Sequence, residues 1–407
     1  MLPQMQREFA QHHFTPQRYE RFRQRLEQEL GCRIEFRVCE APIFVSDAFR
    51  RQLEQIAVEL TCTCATPEYR AYSQEAIPPQ YRVPGEPDRP LFAVVDFAIV
   101  EDSSGALQPR VVELQGFPSL FGYQYFYSRL AREVYELGEQ WSYTLSELSD
   151  EAYIRLLQRA ILGDCAPEEV VLLEYRPWQQ KTLPDFLALR RLIGIEPVDV
   201  CELRKQGKRL YRRRGDAWVP VRRIFHRVVM EELEQASVEL PFEWTEELEV
   251  EWAGHPSWYF RMSKFALPYL GHPAVPPSWR LSELAALPER LEEYVLKPLF
   301  SFAGRGVVLH PTREQVEQLS PQERRHYLLQ QRLRYAPCVY TPVGMNTVEL
   351  RVMLIWLAEW ERPLPVMAMA RTGRAELLGV SYNAMPWAGS SGCLFAPPAA
   401  GEHSGMP

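Results

Sequence analysis

YVLKPLFSFAGRGVVL, residues 294–309, is an apolar run that contains one lysine, breaks at a proline and two glycines, and then becomes apolar again. The pattern predicts a strand, a tight loop and a second strand, with Lys297 near the end of the first strand. Gly304 and Gly306 allow the backbone to approach a ligand closely, and successive N–H groups of such a loop can point at one anion. Together with Ser301, these residues favour a polyphosphate site. The alternative is a surface hairpin whose lysine reaches solvent.

The composition is that of a large globular protein that is not a general nucleic-acid binder. The 407 residues are 46% hydrophobic and 24% charged, which is enough for about two or three α/β units with a large core. The net charge of −7 argues against non-specific binding to nucleic acid. No apolar run of the sequence approaches the roughly 20 residues that span a bilayer. The first residues lack the apolar core of a secretory signal, so we expect a cytoplasmic protein without a membrane partner.

The cysteines do not have the pattern of a disulfide framework, because eight of them are spread over a long chain. Cys62 and Cys64 form a CxC pair, but no cluster of Cys or His with the spacing of a zinc site accompanies them in the sequence. The sequence therefore favours buried or half-buried thiols over a structural metal.

Residues 91–100, LFAVVDFAIV, predict an apolar strand that is interrupted by a single acid, Asp96. After a turn the chain returns as RVVELQ, where Glu113 and Gln115 are two residues apart and so share one face of a strand. A hairpin would place Asp96 beside them, and two carboxylates with an amide oxygen are ligands that suit magnesium. The alternative is an edge hairpin with a polar face toward solvent, but this leaves the acid of the apolar run without a partner.

The middle of the chain has the pattern of a small α/β unit with parallel strands. Residues 169–175 predict a continuous apolar strand, residues 185–194 a helix that ends at a glycine, and residues 195–201 a further short strand. The stretch 202–227 is markedly basic and ends in an apolar strand. Ligands bind beyond such strand ends in open α/β sheets, so Arg227 is a candidate contact for an anionic substrate. The alternative is a solvated charged face.

Three segments of the last third carry charged residues beside or within apolar runs. Lys264 precedes an apolar segment, the strand TVELRVMLIWL contains Arg351, and the strand PVMAMARTG contains Arg371 near its end. Guanidinium groups are fork-shaped and permanently charged, which makes both arginines candidates for binding anionic oxygens. The alternative is a buried ion pair with a nearby acid, and Glu349 could serve Arg351 in this way.

Two stretches outside these motifs carry local patterns. Residues 33–39, RIEFRVC, alternate as a strand does. Residues 67–90 are rich in proline and show little periodicity, which predicts a long surface loop.

Taken in order, these segments resemble the ATP-grasp family, which holds ATP between two α+β subdomains. The features that match, in chain order, are Lys264, the VLKP lysine Lys297 with its SFAGRG loop, the strand with Gln330 and Gln331, and the ELR and AR pairs at Arg351 and Arg371. The hairpin with Asp96 and Glu113 resembles the family's metal site, which usually comes last in the sequence but here precedes Lys297. The resemblance therefore implies a circularly permuted member, similar to the glutathionylspermidine synthetase-like group.

The fold implied by this resemblance is a circularly permuted ATP-grasp fold of the α/β (α+β) class, with an additional small α/β domain similar to a pre-ATP-grasp domain. The implied divisions are an N-terminal segment with the metal-binding half (1–165), a substrate-side α/β domain (166–262), the nucleotide-binding half (263–395) and a flexible tail (396–407). Two positions depart from the family pattern. Gln115 stands where the family usually has asparagine, and Gln330 or Gln331 where it often has glutamate.

The activity implied by the resemblance is ligation. A substrate carboxylate attacks the γ-phosphate of ATP to give an acyl phosphate and ADP, and an amine then displaces phosphate. The implied partners are ATP, magnesium, and small-molecule or peptide carboxylates and amines. The residues with implied roles are Lys264, Lys297, Ser301, Gly304, Gly306, Gln330, Gln331 and Leu333 for ATP; Asp96, Glu113 and Gln115 for Mg²⁺; Arg351 and Arg371 for the transferred phosphoryl group; and Arg227 and Asn383 for the substrate.

Two other classes of protein are compatible with the same sequence. One is a nucleotide-binding module without catalysis, which is favoured if glutamine at position 115 prevents metal binding. The other is an α/β binding protein of unrelated fold, whose basic stretch 202–227 contacts an anionic partner. ATP hydrolysis with candidate acids and amines distinguishes the first class from a ligase, and stabilisation by ATP with magnesium excludes the second.

Overall fold

In the computed structural model, four sheets organise the described residues, which are 1–301, 304–379 and 384–398. The largest sheet combines strands from the first and last thirds of the chain, and a parallel sheet comes from its middle. In chain order the strands are β1 (Ile43–Val45), β2 (Phe92–Glu101), β3 (Leu107–Gln115), β4 (Val170–Glu174), β5 (Glu196–Asp199), β6 (Arg204–Gln206), β7 (Arg209–Arg214), β8 (Ala217–Val221), β9 (Arg223–His226), β10 (Glu251–Ala253), β11 (Ser278–Arg280), β12 (Tyr294–Pro298), β13 (Tyr327–Gln331), β14 (Val339–Thr341), β15 (Gly344–Ile355), β16 (Leu364–Gly373) and β17 (Gly389–Phe395).

The α-helices of the described residues are mostly short; the first two precede β1, and the others lie between strands in the sequence. They are α1 (Pro3–Glu8), α2 (Pro16–Leu30), α3 (Asp47–Cys64), α4 (Pro67–Tyr72), α5 (Phe121–Val134), α6 (Asp150–Leu162), α7 (Leu183–Ile193), α8 (Met230–Ala236), α9 (Ser257–Arg261), α10 (Arg313–Glu317) and α11 (Pro321–Arg324). The longest, α3, is capped by Ser46, whose hydroxyl accepts the N–H of Phe49 at 3.4 Å. A serine in this position satisfies one of the N–H groups that a helix leaves unpaired at its start.

The main sheet has the strand order β1-β17-β16-β15-β2-β3, and β14 pairs with β15 beside it. The β1–β17 pair is parallel and its other pairs are antiparallel. The predicted hairpin of β2 and β3 is confirmed, and Asp96 lies directly opposite Glu113. Because β15 pairs with the other edge of β2, Arg351 lies opposite Asp96 on that side. The sheet thus brings together residues that are far apart in the sequence.

The hydrophobic core lies on both faces of the main sheet. Along β2, Phe92 and Val94 belong to one buried cluster, whereas Val95 and Phe97 belong to the other. This is the alternation expected for a strand that is covered on both sides. Asp96 follows Val94 on the same face and is itself fully buried. A carboxylate in this position requires charged or hydrogen-bonding partners.

The middle of the chain forms a parallel sheet with the strand order β10-β9-β4-β5. The predicted strand–helix–strand unit is confirmed, since α7 connects β4 to the parallel neighbour β5. The strand β9 pairs with the other side of β4. The direction of winding therefore changes between β4 and β9, and Glu174 and His226 end these two strands. The strands β6, β7 and β8 form a separate antiparallel sheet.

The lysine stretch forms one strand of a small sheet with the order β11-β13-β12. The predicted first arm is β12, and Lys297 lies next to its last residue. The predicted second arm is reduced to a single antiparallel bridge between Leu296 and Val308. The hydrogen-bonded partner along all of β12 is β13 instead. Residues 302–303, at the tip of the loop, lie outside the described residues.

Two local predictions were wrong. Residues 33–39 do not form a strand, because only Val38 makes a bridge, to Ser390. The stretch 67–90 is not an open surface loop: it contains α4 and two short 3₁₀ turns, and it buries Tyr69 and Tyr81 among other side chains. Tertiary packing, which local periodicity does not report, determines both stretches. The residues 399–407 of the predicted flexible tail lie outside the described residues.

The eight cysteines all have free thiols, as the sequence predicted. Within the described residues, we find no helix with the length and apolar character needed to span a membrane.

Candidate functional site

A row of charged side chains crosses the main sheet. Glu113 on β3, Asp96 on β2 and Arg351 on β15 are direct neighbours in the strand register. One step along the same face, Glu349 on β15 lies opposite Arg371 on β16. Alternation along each strand places all five residues on one face. The row therefore results from the strand order.

Asp96 is the centre of this row. Arg351 donates from Nε and Nη2 to its two carboxylate oxygens, at 2.7 Å each, and Arg371 donates to Oδ2 at 2.8 Å. Burial alone would raise the pKa of Asp96, but the two guanidinium groups outweigh this effect and lower the pKa to about 2. Asp96 is therefore ionised at neutral pH, and both of its oxygens are engaged by arginine.

Glu349 is held at the next position of the row. Arg371 approaches its carboxylate at 3.1 Å, and the hydroxyl of Tyr335 donates to it at 2.6 Å. Burial and the neighbouring carboxylate raise the pKa of Tyr335 well above its usual value, so the phenol stays a hydrogen-bond donor. These two contacts fix the orientation of the carboxylate.

Two lysines face the row from outside the main sheet. The Nζ of Lys264, in a short 3₁₀ turn, lies 3.2 Å from a carboxylate oxygen of Glu113 and donates to the carbonyl of Ser301 at 2.5 Å. The Nζ of Lys297 donates to the carbonyl of Val112 at 3.3 Å and to the side-chain oxygen of Gln330. Both lysines are buried.

Charges in the site shift the ionisation of Lys297 and Glu113. Burial lowers the pKa of Lys297 to about 8, and the charge of Lys264 acts in the same direction, whereas Glu113 opposes the shift. Burial would raise the pKa of Glu113, but the charge of Lys264 overcomes this and lowers it. At neutral pH Glu113 is therefore ionised, and Lys297 is below its pKa and carries a proton.

A cavity of about 420 Å³ lies against these side chains. Its charged lining consists of the basic residues Lys264, Lys297, Arg332, Arg334, Arg371 and Arg374 and the acidic residues Glu113, Glu349 and Glu376. Its apolar lining includes Val295, Val307, Leu309, Leu333 and Leu377. Cations outnumber carboxylates two to one in this lining, so the cavity suits a ligand with an apolar part and a polyanionic part.

A second, much smaller cavity of about 20 Å³ adjoins the first one. Both are lined by Glu113 and Lys264. The smaller cavity is otherwise mostly apolar and includes Phe117, Tyr259 and Phe300. Its size is sufficient for about one water molecule.

Most of the residues proposed from the sequence for ATP border these two cavities. The larger cavity is lined by Lys264, Lys297, Gly304, Gln330, Gln331 and Leu333, together with Glu113 and Arg371. The smaller one is lined by Gln115 and Ser301. Asp96, Arg351 and Gly306 line neither cavity, and Asn383 lies outside the described residues. Gly306 has a positive φ of 73°, and a Cβ there would lie 2.9 Å from Pro298, so the loop requires glycine at this position.

Arg227 occupies a different environment from the other proposed site residues. It follows β9, as the sequence predicts, but its Nη1 donates to the buried carboxylate of Asp185 at 2.6 Å. The guanidinium also lies over the rings of Phe117 and Phe186. Arg227 is buried and lines neither cavity. Its charge is thus neutralised within the protein.

The basic stretch 202–227 is also partly neutralised. Lys205, Lys208 and Arg209 each pair with a glutamate of the segment 246–249. These pairs are largely exposed and contribute little to stability. The stretch therefore presents less net positive charge than its composition suggests.

Of the three carboxylates that line the larger cavity, Glu113 and Glu349 belong to the row on the main sheet, and oxygen ligands of this kind suit Mg²⁺. Gln115 donates from Nε2 to Glu113 at 2.6 Å, so its amide oxygen points away from this bond. The described residues contain no group of three or more His, Cys, Asp or Glu arranged around a potential metal position. Magnesium bound here would thus use two carboxylates and complete its coordination with water and ligand oxygens.

Sequence reasoning missed the place of Glu349 and Tyr335 in the site. Glu349 was considered only as a partner for Arg351, but its partners are Arg371 and Tyr335. The signal was present, because Glu349 and Arg351 are two residues apart on one strand and so share a face. Which arginine each acid binds depends on the order of the strands, and the sequence pattern does not contain this order.

Comparison with known proteins identifies a likeness in fold. No family model matches the chain. No curated protein matches it. Among solved structures, the chain is similar to a glutathione synthetase-like effector from Globodera pallida in its apo form, with 13% sequence identity, a TM-score of 0.59, and a match that covers 94% of this chain and 98% of that chain. At this identity the likeness concerns the fold alone. The chain thus has a mixed α/β fold with several sheets, similar to that of a glutathione synthetase-like protein.

Proposed function

We propose that this protein is an ATP- and magnesium-dependent carboxylate–amine ligase that forms an acyl phosphate and ADP. One observation carries the proposal. Lys264 and Lys297, from the last third of the chain, and Glu113, from the first third, meet at one cavity whose lining contains six cationic side chains and several apolar ones. The likeness in fold to a glutathione synthetase-like protein supports the same reading.

In this proposal the base of ATP contacts apolar residues of the cavity lining such as Val295 and Leu333. Gln330 also lines the cavity, and its Nε2 has no hydrogen-bond partner among the described residues. Lys297 donates to its Oε1, so the Nε2–H group is the donor that Gln330 offers to a ligand. The ring nitrogens of a purine are acceptors for such a donor.

The polyphosphate contacts the charged residues of the lining. Lys264 and Lys297 would neutralise its oxygens, and Arg371 would contact the transferred phosphoryl group. Asp96 and Arg351 line neither cavity, but the carboxylate of Asp96 binds both arginines and orients them. We therefore assign Asp96 a positioning role toward Arg371 and assign the metal contacts to Glu113 and Glu349, with Gln115 beside them. Magnesium, when bound, would neutralise phosphate charge in the transition state.

The reaction proceeds in two displacements. An oxygen of the substrate carboxylate bonds to the γ-phosphorus as the bond to the ADP oxygen breaks. The nitrogen of the amine then bonds to the acyl carbon, the carbon–oxygen bond to phosphate breaks, and the nitrogen loses a proton to solvent.

Circular permutation and the domain division are part of the proposal. Support comes from the pairing of β17 with β1, which brings Phe395 beside Val45, just before α3. The late segments of the chain thus lie next to the element that leads toward β2. We keep the divisions at 1–165, 166–262, 263–395 and 396–407, with the basic and parallel strands in the second unit.

A screen for ATP-dependent phosphate release tests the proposed function. Amino acids, short peptides and polyamines are supplied in pairs with ATP and magnesium, and ADP and the coupled product are quantified by mass spectrometry. We expect release that requires both an acid and an amine. Absence of any ATP- or ADP-dependent stabilisation in a thermal-shift experiment with magnesium would refute the proposal, because a nucleotide in large excess over its Kd stabilises the folded state by about 3 kcal/mol.

A second candidate function is nucleotide binding without ligation. The observation that favours it is that polar side chains of the site already bind one another. Asp96 is bound by two arginines, and Gln115 donates a hydrogen bond to Glu113. In this case ATP with magnesium stabilises the protein, but no acid–amine pair stimulates phosphate release.

A further inference from the structure

The segment that carries Lys264 is enclosed by the stretch 67–90, which we call the strap. The hydroxyl of Tyr69 donates to the carbonyl of Arg261 at 2.5 Å. The indole N–H of Trp258 donates to the carbonyl of Pro87 at 3.3 Å. The strap therefore holds the backbone just before the lysine by contacts from both of its ends.

Arg261 is the main connection between the strap and this segment. Its guanidinium donates to both carboxylate oxygens of Glu86 (2.5 and 3.2 Å), to the carbonyl of Arg70 (2.5 Å), to the hydroxyl of Ser73 (2.8 Å) and to the side-chain oxygen of Gln74 (2.6 Å). The side chain is only 3% exposed. A buried arginine with so many partners orders all the groups that it bonds.

The remaining connection from Arg261 to Lys264 is short and rigid. The carbonyl of Met262 accepts the N–H of Gly116, directly after β3, at 2.8 Å. A Cβ at Gly116 would lie 2.3 Å from the carbonyl oxygen of Trp258, so the two backbones are in close contact. The hydroxyl of Ser263 then accepts the N–H of Phe265 at 3.2 Å and thereby caps the 3₁₀ turn that contains Lys264.

We propose that the strap acts through Arg261 to position Lys264 against Glu113 and the cavity. Arg261 is a positioning residue: it lines neither cavity and acts only through the backbone of residues 262–264. The consequence for nucleotide binding rests on the proposed function, whereas the consequence for the environment of Lys264 does not. The proline-rich stretch 67–90 thereby contributes to the geometry of the site.

The test compares Arg261→Met with Arg50→Met. Arg50 is a matched control, because it also binds carboxylates, those of Asp47 and Glu54, and its side chain is 14% exposed but lines neither cavity. Two quantities are measured: the rate of acetylation of Lys264 by acetic anhydride, read by mass spectrometry, and the Kd of ATP with magnesium. For Arg261→Met we expect acetylation about tenfold faster and a Kd about tenfold higher, the scale typical of lost second-layer contacts.

For Arg50→Met we expect both quantities to stay at their wild-type values. Arg261→Lys, which keeps the charge but not the five bonds, should lie between Arg261→Met and wild type. If Arg261→Met does not fold, Glu86→Gln replaces it, with the same direction of change. Unchanged acetylation of Lys264 in the folded variant, or an equal change in Arg50→Met, overturns the positioning role. If wild type binds no nucleotide, the proposed function fails, and the acetylation rates still decide the positioning role.

Discussion

Asp96 and Asp185 are both fully buried carboxylates that bind arginine, yet only the cluster of Asp96 borders a cavity. Asp96 holds Arg351 and Arg371, and Arg371 lines the cavity. Asp185 holds Arg227 and also accepts three N–H groups at the start of α5, including those of Gly122 and Tyr123. The cluster of Asp96 thus presents the guanidinium of Arg371 to the larger cavity. The cluster of Asp185 instead connects Arg227, after β9, to the start of α5.

The comparison teaches that an arginine at the end of a strand is weak evidence for a binding site. Arg227 satisfied the positional rule for open α/β sheets, but aromatic rings and Asp185 occupy its surroundings. Arg371 lies on β16, which has antiparallel neighbours, so this rule does not apply to it; it nevertheless lines the larger cavity. The role of each arginine depends on whether its guanidinium is enclosed by partners within the protein or faces a cavity.

The largest expected effects separate the stability of the two clusters from their function. Asp96→Asn and Asp185→Asn each leave a buried guanidinium without its counter-charge, so we expect each to lower the free energy of unfolding by about 3–5 kcal/mol in urea titrations. Only Asp96→Asn should also weaken ATP binding, because of these two aspartates only Asp96 contacts Arg371. If Asp185→Asn weakens ATP binding as much as Asp96→Asn does, the inferred difference between the two clusters is wrong.

The pH dependence of stability adds to this test. The pKa of Asp96 is lowered from 3.8 to about 2 in the folded state. The stabilisation is therefore complete above about pH 4 and is lost as the pH falls through about 2. Asp96→Asn should remove this part of the acid transition, which can be followed by circular dichroism.

Lys297→Met directly tests the role of the charged residues that line the larger cavity. We expect ATP-dependent phosphate release to fall about 100- to 1,000-fold, because a preorganised charge toward the phosphates is lost. The free energy of unfolding should not fall, since burial already disfavours the charged lysine. Lys205→Met, in the exposed strand β6, serves as the control. Wild-type turnover in Lys297→Met would contradict the assignment of the cavity.

The lowered pKa of Lys297 predicts a smaller, graded effect. Free protein loses the Lys297 proton above about pH 8, so ATP affinity should fall by up to about tenfold per pH unit from there toward pH 10. The unfolded chain keeps this proton up to about pH 10.5, so the same residue makes folding relatively more favourable as the pH rises through this window. Calorimetry should detect proton uptake on ATP binding near pH 9. Lys297→Arg should bind ATP without this pH dependence if lysine is the titrating group.

Tyr335→Phe should have the smallest effect. It removes one hydrogen bond to Glu349, which keeps its contact with Arg371, so we expect a loss of about 1 kcal/mol in the free energy of unfolding. The magnesium concentration for half-maximal ATP binding should rise slightly. If Tyr335→Phe lowers the free energy of unfolding as much as Asp96→Asn does, then Tyr335, and not the arginines, is the main stabilising partner of the charged row.

The sequence by itself determined most of the local elements and which strand faces are polar. Alternation placed Glu113 and Gln115 on one face, and the apolar run around Asp96 required a partner for a buried acid. The structure bears out these two inferences, because strand geometry repeats every two residues and a buried charge must be compensated. The ligand loop indicated by the glycines after Lys297 stays a prediction.

Only the tertiary structure decided which charges meet. Asp96 and Arg351 are 255 residues apart, and they are neighbours because β15 lies beside β2. In the same way Arg227 is paired with Asp185, and the stretch 67–90 is packed around Arg261. The physical reason is that ion pairs and packing depend on the order of strands and on side chains from distant segments, whereas periodicity reports only which face a residue occupies.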